Sequence, residues 1–149
     1  VSPYYRDENL LLALGFEPYD LMLQLLAKAD DYFSGGRSYY AHASSRLPHR
    51  PGIIHQSSAT GMQAIPSTGI AHGLRYKVEA GISSAIPPHP LVVCSLGDAS
   101  ITEGEVSEAF QVAVLKKLPV IYLVQDNEWG ISVTAAEARA MDAVAYAKG

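Results

Sequence analysis

The sequence predicts an α/β fold, a parallel sheet with helices on both faces. Two apolar runs, at 91–96 and 119–125, have the length and composition of buried strands. The stretch between them is patterned as one helix, and strands joined in this way are almost always parallel with a right-handed crossover. Gly97-Asp98 follows the first run and Asp126-Asn127 follows the second. Both pairs therefore belong to the carboxyl edge of the sheet, where ligands bind in open parallel sheets.

Helix start and stop signals predict three helices before the first strand. A short helix is expected over 7–14, and Gly15 ends it. Pro18 opens an amphipathic helix over 19–29, since proline is favoured at the first helical position. A third helix is expected over 65–80, with small residues along one face that allow close packing.

Two capping-box patterns predict where the later helices begin. Thr102 and Glu105 have the spacing at which each side chain caps the other's backbone N–H, which places the start of the connecting helix there. Thr134 and Glu137 repeat the pattern and predict a last helix that runs to Lys148.

Length and composition predict one domain, or part of one, over residues 1–149 with a sizeable core. Hydrophobic residues make up 48% of the 149 residues and the net charge is −4, so the sequence implies no nucleic-acid or membrane partner. No apolar run approaches the roughly 20 residues that a bilayer requires. Cys94 lies inside a predicted strand and is expected to be a buried, inert thiol, which fits a cytoplasmic location.

The segment 35–58 shows no periodicity, and a stretch of this length inside a domain is usually functional. We expect it to be an active-site loop region. Apart from His42, its basic side chains are either solvated or in contact with a substrate carboxylate, and they are Arg37, Arg46, His49, Arg50 and His55.

The two turns at the carboxyl edge offer the oxygen ligands that Mg²⁺ prefers. Asp98 can supply a carboxylate oxygen, Asn127 an amide oxygen, and the backbone of Trp129 a carbonyl oxygen. Gly97 permits a sharp turn out of the strand. The alternative is that Asp98 and Asn127 are ordinary turn or capping residues, and the spacing of the two pairs favours the metal site.

Several motifs resemble one family of enzymes. Gly97-Asp98-Ala99, followed after 26 residues by Asp126-Asn127, resembles the thiamine diphosphate motif, in which Gly-Asp-Gly precedes Asn-Asn at a similar spacing. The segments 97–105 and 127–132 resemble the alpha part of the decarboxylating component of 2-oxoacid dehydrogenase complexes, of the 2-oxoisovalerate (branched-chain) or pyruvate type. The resemblance implies a thiamine diphosphate-binding fold and covers most of the chain, which we expect to be a fragment.

The resemblance also assigns roles to residues outside the two turns. Tyr5 and Arg6 would bind the diphosphate, Ala59 and Gly61 would line the aminopyrimidine site, and His42 would be catalytic. Mg²⁺ would be held by Asp98, Asn127 and the Trp129 carbonyl. The complete cofactor-binding set that it implies is Tyr5, Arg6, Ala59, Gly61, Gly97, Asp98, Ala99, Ser100, Asn127 and Trp129.

The implied activity is oxidative decarboxylation of a small 2-oxo acid, with acyl transfer to a lipoyl group. The implied partners are a beta part, separate or fused, and a lipoyl-bearing acyltransferase. The beta part would supply a glutamate, so the chain alone would be inactive. The location would be cytoplasmic, or the mitochondrial matrix in a eukaryote.

Two departures from the motif keep other functions open. Ala99 replaces the second glycine, and Asp126 replaces the first asparagine and adds a negative charge beside the predicted metal. The alternatives are another thiamine diphosphate enzyme, such as an acetoin dehydrogenase or a transketolase-like protein, or a non-catalytic assembly module of the same fold.

Overall fold

The computed structural model describes residues 1–55, 57–83 and 89–148. The chain divides into two compact units, Val1–Ala59 and Thr60–Gly149, each with its own apolar core. The expectation of a single domain stays a prediction.

The first unit contains two short helices, α1 (Glu8–Ala13) and α2 (Pro18–Leu25). Both were predicted, and Pro18 occupies the first turn of α2 as expected. The second helix ends earlier than its pattern suggests, because Ala27 adopts a left-handed backbone conformation with φ of 49°. The buried side chains around these helices are Leu11, Phe16, Leu21, Phe33, Ala43 and Ile53.

The segment 35–58 contains no helix or extended strand among its described residues; Gln56 lies outside them. One isolated antiparallel bridge joins Ser45 to Ile53. The segment begins at a turn built around Asp31, which is buried and accepts hydrogen bonds from the Ser34 hydroxyl and the Gly36 N–H. Its role as an active-site loop region stays a prediction.

The second unit is a mixed helix and strand arrangement around a small parallel sheet. In chain order its elements are α3 (Ala64–Glu79), β1 (Val92–Gly97), a 3-10 helix (Asp98–Thr102), α4 (Gly104–Leu115), β2 (Val120–Gln125), β3 (Trp129–Gly130), β4 (Val133–Thr134), α5 (Ala135–Ala138) and α6 (Ala143–Ala147). β3 and β4 form an antiparallel pair.

The parallel pairing of β1 with β2 is confirmed. The register runs from Val92 opposite Val120 to Gly97 opposite Gln125. Cys94 is fully buried between the sheet and the helices, as predicted for an inert thiol. The carboxyl edge, defined here as the ends of the two strands at Gly97 and Gln125, therefore places Asp98 and Asp126 at equivalent positions.

Helices α3 and α4 pack against the sheet face that carries Cys94 and Leu96. Ala64 from α3 and Val106 from α4 share one buried cluster with these residues. Ile121 and Leu123, on the opposite face, remain about half exposed. Helices on both faces are thus not seen within the described residues, and that part of the fold stays a prediction.

The predicted capping box between Thr102 and Glu105 is wrong, but the helix that it was expected to start is present as α4. Residues Asp98–Thr102 form the 3-10 helix, in which the Thr102 hydroxyl donates to the Ala99 carbonyl, so α4 starts only at Gly104 with Glu103 as its N-cap.

The capping box at Thr134 and Glu137 is confirmed: the Glu137 carboxylate accepts from both the backbone N–H and the hydroxyl of Thr134. The helix it starts does not reach Lys148, because Arg139 turns extended and Asp142 caps the separate helix α6.

Candidate functional site

The turn that follows β1 directs a buried carboxylate toward the carboxyl edge. Gly97 is the last residue of the strand, and the Ser100 hydroxyl donates a 2.6 Å hydrogen bond back to the Gly97 carbonyl. This bond closes the first turn of the 3-10 helix. Asp98 sits within that turn with a side chain only 2% exposed.

Arg139 joins the two strand ends. Its Nη2 atom lies 2.7 Å from Asp98 Oδ2 and 3.0 Å from Asp126 Oδ1. The Arg139 side chain is 6% exposed, and the Asp126 side chain is 34% exposed. Two carboxylates from neighbouring strands thus converge on one positive group at the place where the sequence predicts a metal ion.

Because Asp98 and Arg139 are buried, their charges need opposite charges as neighbours. A buried carboxylate without a positive partner is costly, so Asp98 requires a counter-cation. The hydrogen bond from Arg139 is the main reason why the pKa of Asp126 is lowered from its ordinary value. The same bond to Asp126 raises the pKa of Arg139. Asp126 and Arg139 therefore stay charged over the physiological range.

The residues that follow Asp126 form successive side-chain turns. The Asp126 carboxylate accepts from the Glu128 N–H at 3.0 Å, and the Asn127 amide oxygen accepts from the Trp129 N–H at 3.0 Å. Asn127 and Trp129 are exposed, with Trp129 starting the β3–β4 hairpin. The amide oxygen predicted as a metal ligand therefore has an internal partner here, and its metal role stays a prediction.

Ala99 and Gly61 both lie at places of close packing. A Cβ atom added to Gly130 would lie 3.0 Å from the Ala99 Cβ, so the hairpin approaches the 3-10 helix closely. Gly61 has φ of +77°, and a Cβ there would lie 2.7 Å from Val106 Cγ2. Gly61 is thus required by the packing of its own unit.

In the first unit, His42 is held at four points. Its backbone N–H donates to Gln24 Oε1 at 3.0 Å, and its carbonyl accepts from Gln24 Nε2 at 3.1 Å. The ring Nδ1 lies 2.7 Å from the Tyr40 carbonyl, and Nε2 lies 3.1 Å from Ser58 Oγ. A carbonyl can only accept, so Nδ1 carries a proton and donates to Tyr40, and in this tautomer of the imidazole Nε2 is the nitrogen that can accept from the Ser58 hydroxyl.

His42 also borders a cavity of about 470 Å³. The cavity is lined mainly by polar side chains of the 35–58 segment and its flanks, namely Phe33, Ser34, Arg37, Ser38, Tyr39, His42, His55, Ser57 and Ser58. Two basic candidates, Arg37 and His55, thus line the same cavity as the predicted catalytic histidine.

The other predicted residues of this unit lie elsewhere on it. Tyr5 and Arg6 occupy a turn closed by the Asp7 N–H and the Tyr4 carbonyl, with the Arg6 guanidinium 5.6 Å from the Tyr5 ring centroid. Ala59 is exposed. The remaining basic candidates of the segment 35–58, which are Arg46, His49 and Arg50, do not line the cavity beside His42.

Arg50 already has structural partners. Its guanidinium stacks 4.3 Å from the Phe16 ring centroid and donates to the Gly15 carbonyl. Arg46 and His49 are exposed. These contacts assign Arg50 to the packing of its unit and give no support for a substrate contact.

Two residues with clear positioning roles escaped the sequence analysis. Arg139 is 41 positions from Asp98, and Gln24 is 18 positions from His42. Both act through tertiary contacts, and neither belongs to a local motif, so the sequence carries no signal for them.

The described residues contain no group of three or more His, Cys, Asp or Glu side chains that could enclose a metal. A metal at the carboxyl edge would thus need amide, backbone or ligand oxygens in addition to carboxylates. None of the helices in the described ranges has the length and hydrophobicity of a membrane-spanning segment.

Comparison with known proteins decides the family. The model of the dehydrogenase E1 component matches residues 1–149, the whole chain. The chain belongs to the dehydrogenase E1 component family. This membership confirms the resemblance that the motifs indicate.

Relatives of this E1 component chain are bacterial alpha subunits. It is 33% identical over 133 residues to the 2-oxoisovalerate dehydrogenase subunit alpha of Bacillus subtilis, covering 89% of the chain and 37% of the relative. It is 30% identical to the pyruvate dehydrogenase E1 component subunit alpha of Rhizobium meliloti, covering 91% and 35% respectively. A third such subunit, from Zymomonas mobilis, is 28% identical, covering 94% and 36%. The chain thus spans little more than a third of these relatives.

Proposed function

We propose that this chain is the thiamine diphosphate- and Mg²⁺-binding part of a 2-oxoacid dehydrogenase. The proposed reaction is oxidative decarboxylation of a 2-oxo acid with acyl transfer to a lipoyl group, carried out together with a beta part. The observation that supports it best is the convergence of Asp98 and Asp126 on one cationic group at the carboxyl edge. The motif that these residues belong to lies in a chain of the E1 component family.

The donor set at the carboxyl edge fits a hard cation. Asp98 offers a buried carboxylate at this edge, and Mg²⁺ favours oxygen ligands shared between protein carboxylates and phosphate. In this proposal Asp98, Asn127 and the Trp129 carbonyl hold the metal. The N-terminus of α4, a 12-residue helix, adds a partial positive charge on the chain segment that follows Asp98.

Residues of the first unit have separate proposed roles. Tyr5 and Arg6 bind the diphosphate, and an arginine fork suits phosphate oxygens. When bound, thiamine diphosphate supplies a carbon nucleophile and an electron sink for decarboxylation. His42 receives or releases a proton at Nε2. Its Nδ1–H contact to the Tyr40 carbonyl fixes the tautomer in which Nε2 is the accepting nitrogen, and the Ser58 hydroxyl that contacts Nε2 moves aside for the transfer.

The proposal is tested by cofactor binding to the intact protein that carries this chain. Thiamine diphosphate is titrated calorimetrically at saturating Mg²⁺ into the wild type and the Asp98→Asn variant. We expect binding to weaken about tenfold or more, since a ligand that orients metal and diphosphate together is lost. Unchanged affinity in a folded Asp98→Asn variant would refute the metal assignment.

A matched control separates loss of the ligand from loss of charge. Asp30 is an exposed carboxylate in the first unit, so Asp30→Asn changes the net charge equally without touching the carboxyl edge. Cofactor affinity should stay at the wild-type value in this control. Circular dichroism spectra of both variants verify that the fold is retained.

One observation favours a second candidate function, a non-catalytic assembly module of the same family. Arg139 already neutralises Asp98, so the pair is stable without any metal. In such a module neither Mg²⁺ nor thiamine diphosphate would bind the intact wild type. The same titration therefore separates the two functions, because a measurable cofactor isotherm excludes the assembly module.

A further inference from the structure

The structure raises a conflict at the carboxyl edge that the proposed function does not resolve. Asp98, the carboxylate expected to bind the metal, is already bonded to Arg139 at 2.7 Å. Both side chains are almost completely buried, so water does not weaken the pair as it would on the surface. A cation that binds the Asp98 carboxylate must therefore compete with the guanidinium.

Asp126 offers Arg139 a second position. It accepts from the same Nη2 atom at 3.0 Å and is more exposed than Asp98. Because one nitrogen serves both carboxylates, Arg139 can release Asp98 and keep its contact with Asp126. Its charge then remains paired while Asp98 becomes free to bind a metal.

We propose that Arg139 is an internal counter-cation that occupies Asp98 in the metal-free protein and is displaced onto Asp126 when the divalent cation binds. The inference rests on the proposed function, because it takes Asp98 as a metal ligand. Arg139 is a positioning residue in this scheme. Its presence weakens binding of the metal alone and protects the buried carboxylate while no metal is bound.

The test measures metal affinity directly in the intact protein freed of thiamine diphosphate. Mn²⁺, a hard divalent cation with an electron-spin signal, is the probe, and Mg²⁺ competes it off. We expect Arg139→Gln to bind Mn²⁺ about tenfold more tightly or better, the scale of one charge-assisted hydrogen bond. Affinity equal to or weaker than that of the wild type would overturn the proposal.

Thermal stability gives a second readout that a purely structural salt bridge would not produce. Without metal, Arg139→Gln should melt below the wild type, since Asp98 is left buried without its partner. Saturating Mg²⁺ should reduce this difference in melting temperature, because Arg139→Gln is expected to bind the metal more tightly than the wild type and is therefore stabilised more by it. If Arg139 instead paired with Asp98 in both states, the difference would persist at saturating metal, and the proposal would fail.

Two further variants control for charge and for folding. Arg75→Gln removes the same charge at the amino-terminal end of the strands, where Arg75 and Pro119 border one surface hollow. A six-residue strand spans roughly 20 Å, beyond the screening length of about 8 Å, so Mn²⁺ affinity should not change. If Arg139→Gln does not fold, Arg139→Lys keeps the charge on a shorter side chain. It should bind Mn²⁺ more tightly than the wild type, and wild-type affinity would refute the inference.

Failure of this inference and failure of the proposed function give different results. If Asp98→Asn abolishes Mn²⁺ binding but Arg139→Gln leaves it unchanged, Asp98 is a metal ligand and only the role of Arg139 is refuted. If neither substitution alters Mn²⁺ binding, the metal assignment and the inference both fall.

Discussion

Replacing Gly61 by alanine should destabilise the second unit by about 2–5 kcal/mol, the sum of two separate costs. The first is backbone strain, since φ at Gly61 is +77° and a left-handed conformation costs an L-residue about 1–2 kcal/mol. The second is overpacking, which typically costs about 1–3 kcal/mol in a well-packed core.

The overpacking cost follows from the neighbours of the added methyl group. It would lie 2.7 Å from Val106 Cγ2 and 3.4 Å from the Ser100 carbonyl oxygen. Carbon atoms pack best at about 3.5–4.0 Å, so either the valine or the backbone must move. Val106 is fully buried, and valine is stiff at χ1, so relief by side-chain rotation is not available. The Ser100 contact would transmit the shift to the turn that carries Asp98.

A second glycine provides the control for this measurement. Gly73 lies in α3 with no atom within 4 Å of its added Cβ, and its φ is not left-handed. Gly73→Ala should therefore stabilise by about 0.5–1 kcal/mol through helix propensity. Urea denaturation compares both variants with the wild type. A loss below 1 kcal/mol for Gly61→Ala would show that this close packing does not exist.

Two other predictions concern single contacts. Tyr40→Phe should lower the free energy of unfolding by about 1 kcal/mol, since the Tyr40 hydroxyl donates a hydrogen bond to the Glu8 carboxylate at 2.7 Å. This bond raises the pKa of Tyr40 to about 12, so the difference in unfolding free energy should be constant below the ordinary tyrosine pKa of 10.0 and vanish as pH rises through about 12. A stability difference between the wild type and Tyr40→Phe that grows as the pH rises above 10.0 would contradict this prediction. Gly130→Ala should cost about 1 kcal/mol by crowding Ala99. The Ala99→Gly, Gly130→Ala double variant should recover part of this loss in a double-mutant cycle, whereas strict additivity would refute the contact.

The parallel pair of strands could be predicted because each cause is local. The runs at 91–96 and 119–125 are mostly apolar, and the helix between them fixes their relative direction. Register is harder to predict, and it has a consequence at the site. Since Gly97 pairs with Gln125, the residue equivalent to Asp98 is Asp126, and Asn127 lies one position further along.

Capping patterns show the limit of local prediction. Thr102 and Thr134 both precede a glutamate at the same spacing, yet only Thr134 forms the capping box. Upstream of Thr102, the Ser100 hydroxyl bonds to the Gly97 carbonyl and stabilises a 3-10 turn, so the chain is already turning before the α-helix begins. A competing local hydrogen bond therefore decides between two identical patterns.

The departure of Asp126 from the asparagine of the thiamine diphosphate motif has an electrostatic counterpart in Arg139. Asp98 and Asp126 carry two negative charges, and the guanidinium that touches both returns their sum to that of a single carboxylate. That is the charge the motif would have with a neutral amide at position 126. Loss of the Asp126 charge alone, or of the Arg139 charge alone, should therefore disturb the carboxyl edge more than loss of both together. An Asp126→Asn, Arg139→Gln double variant should bind divalent cations more nearly like the wild type than Arg139→Gln does.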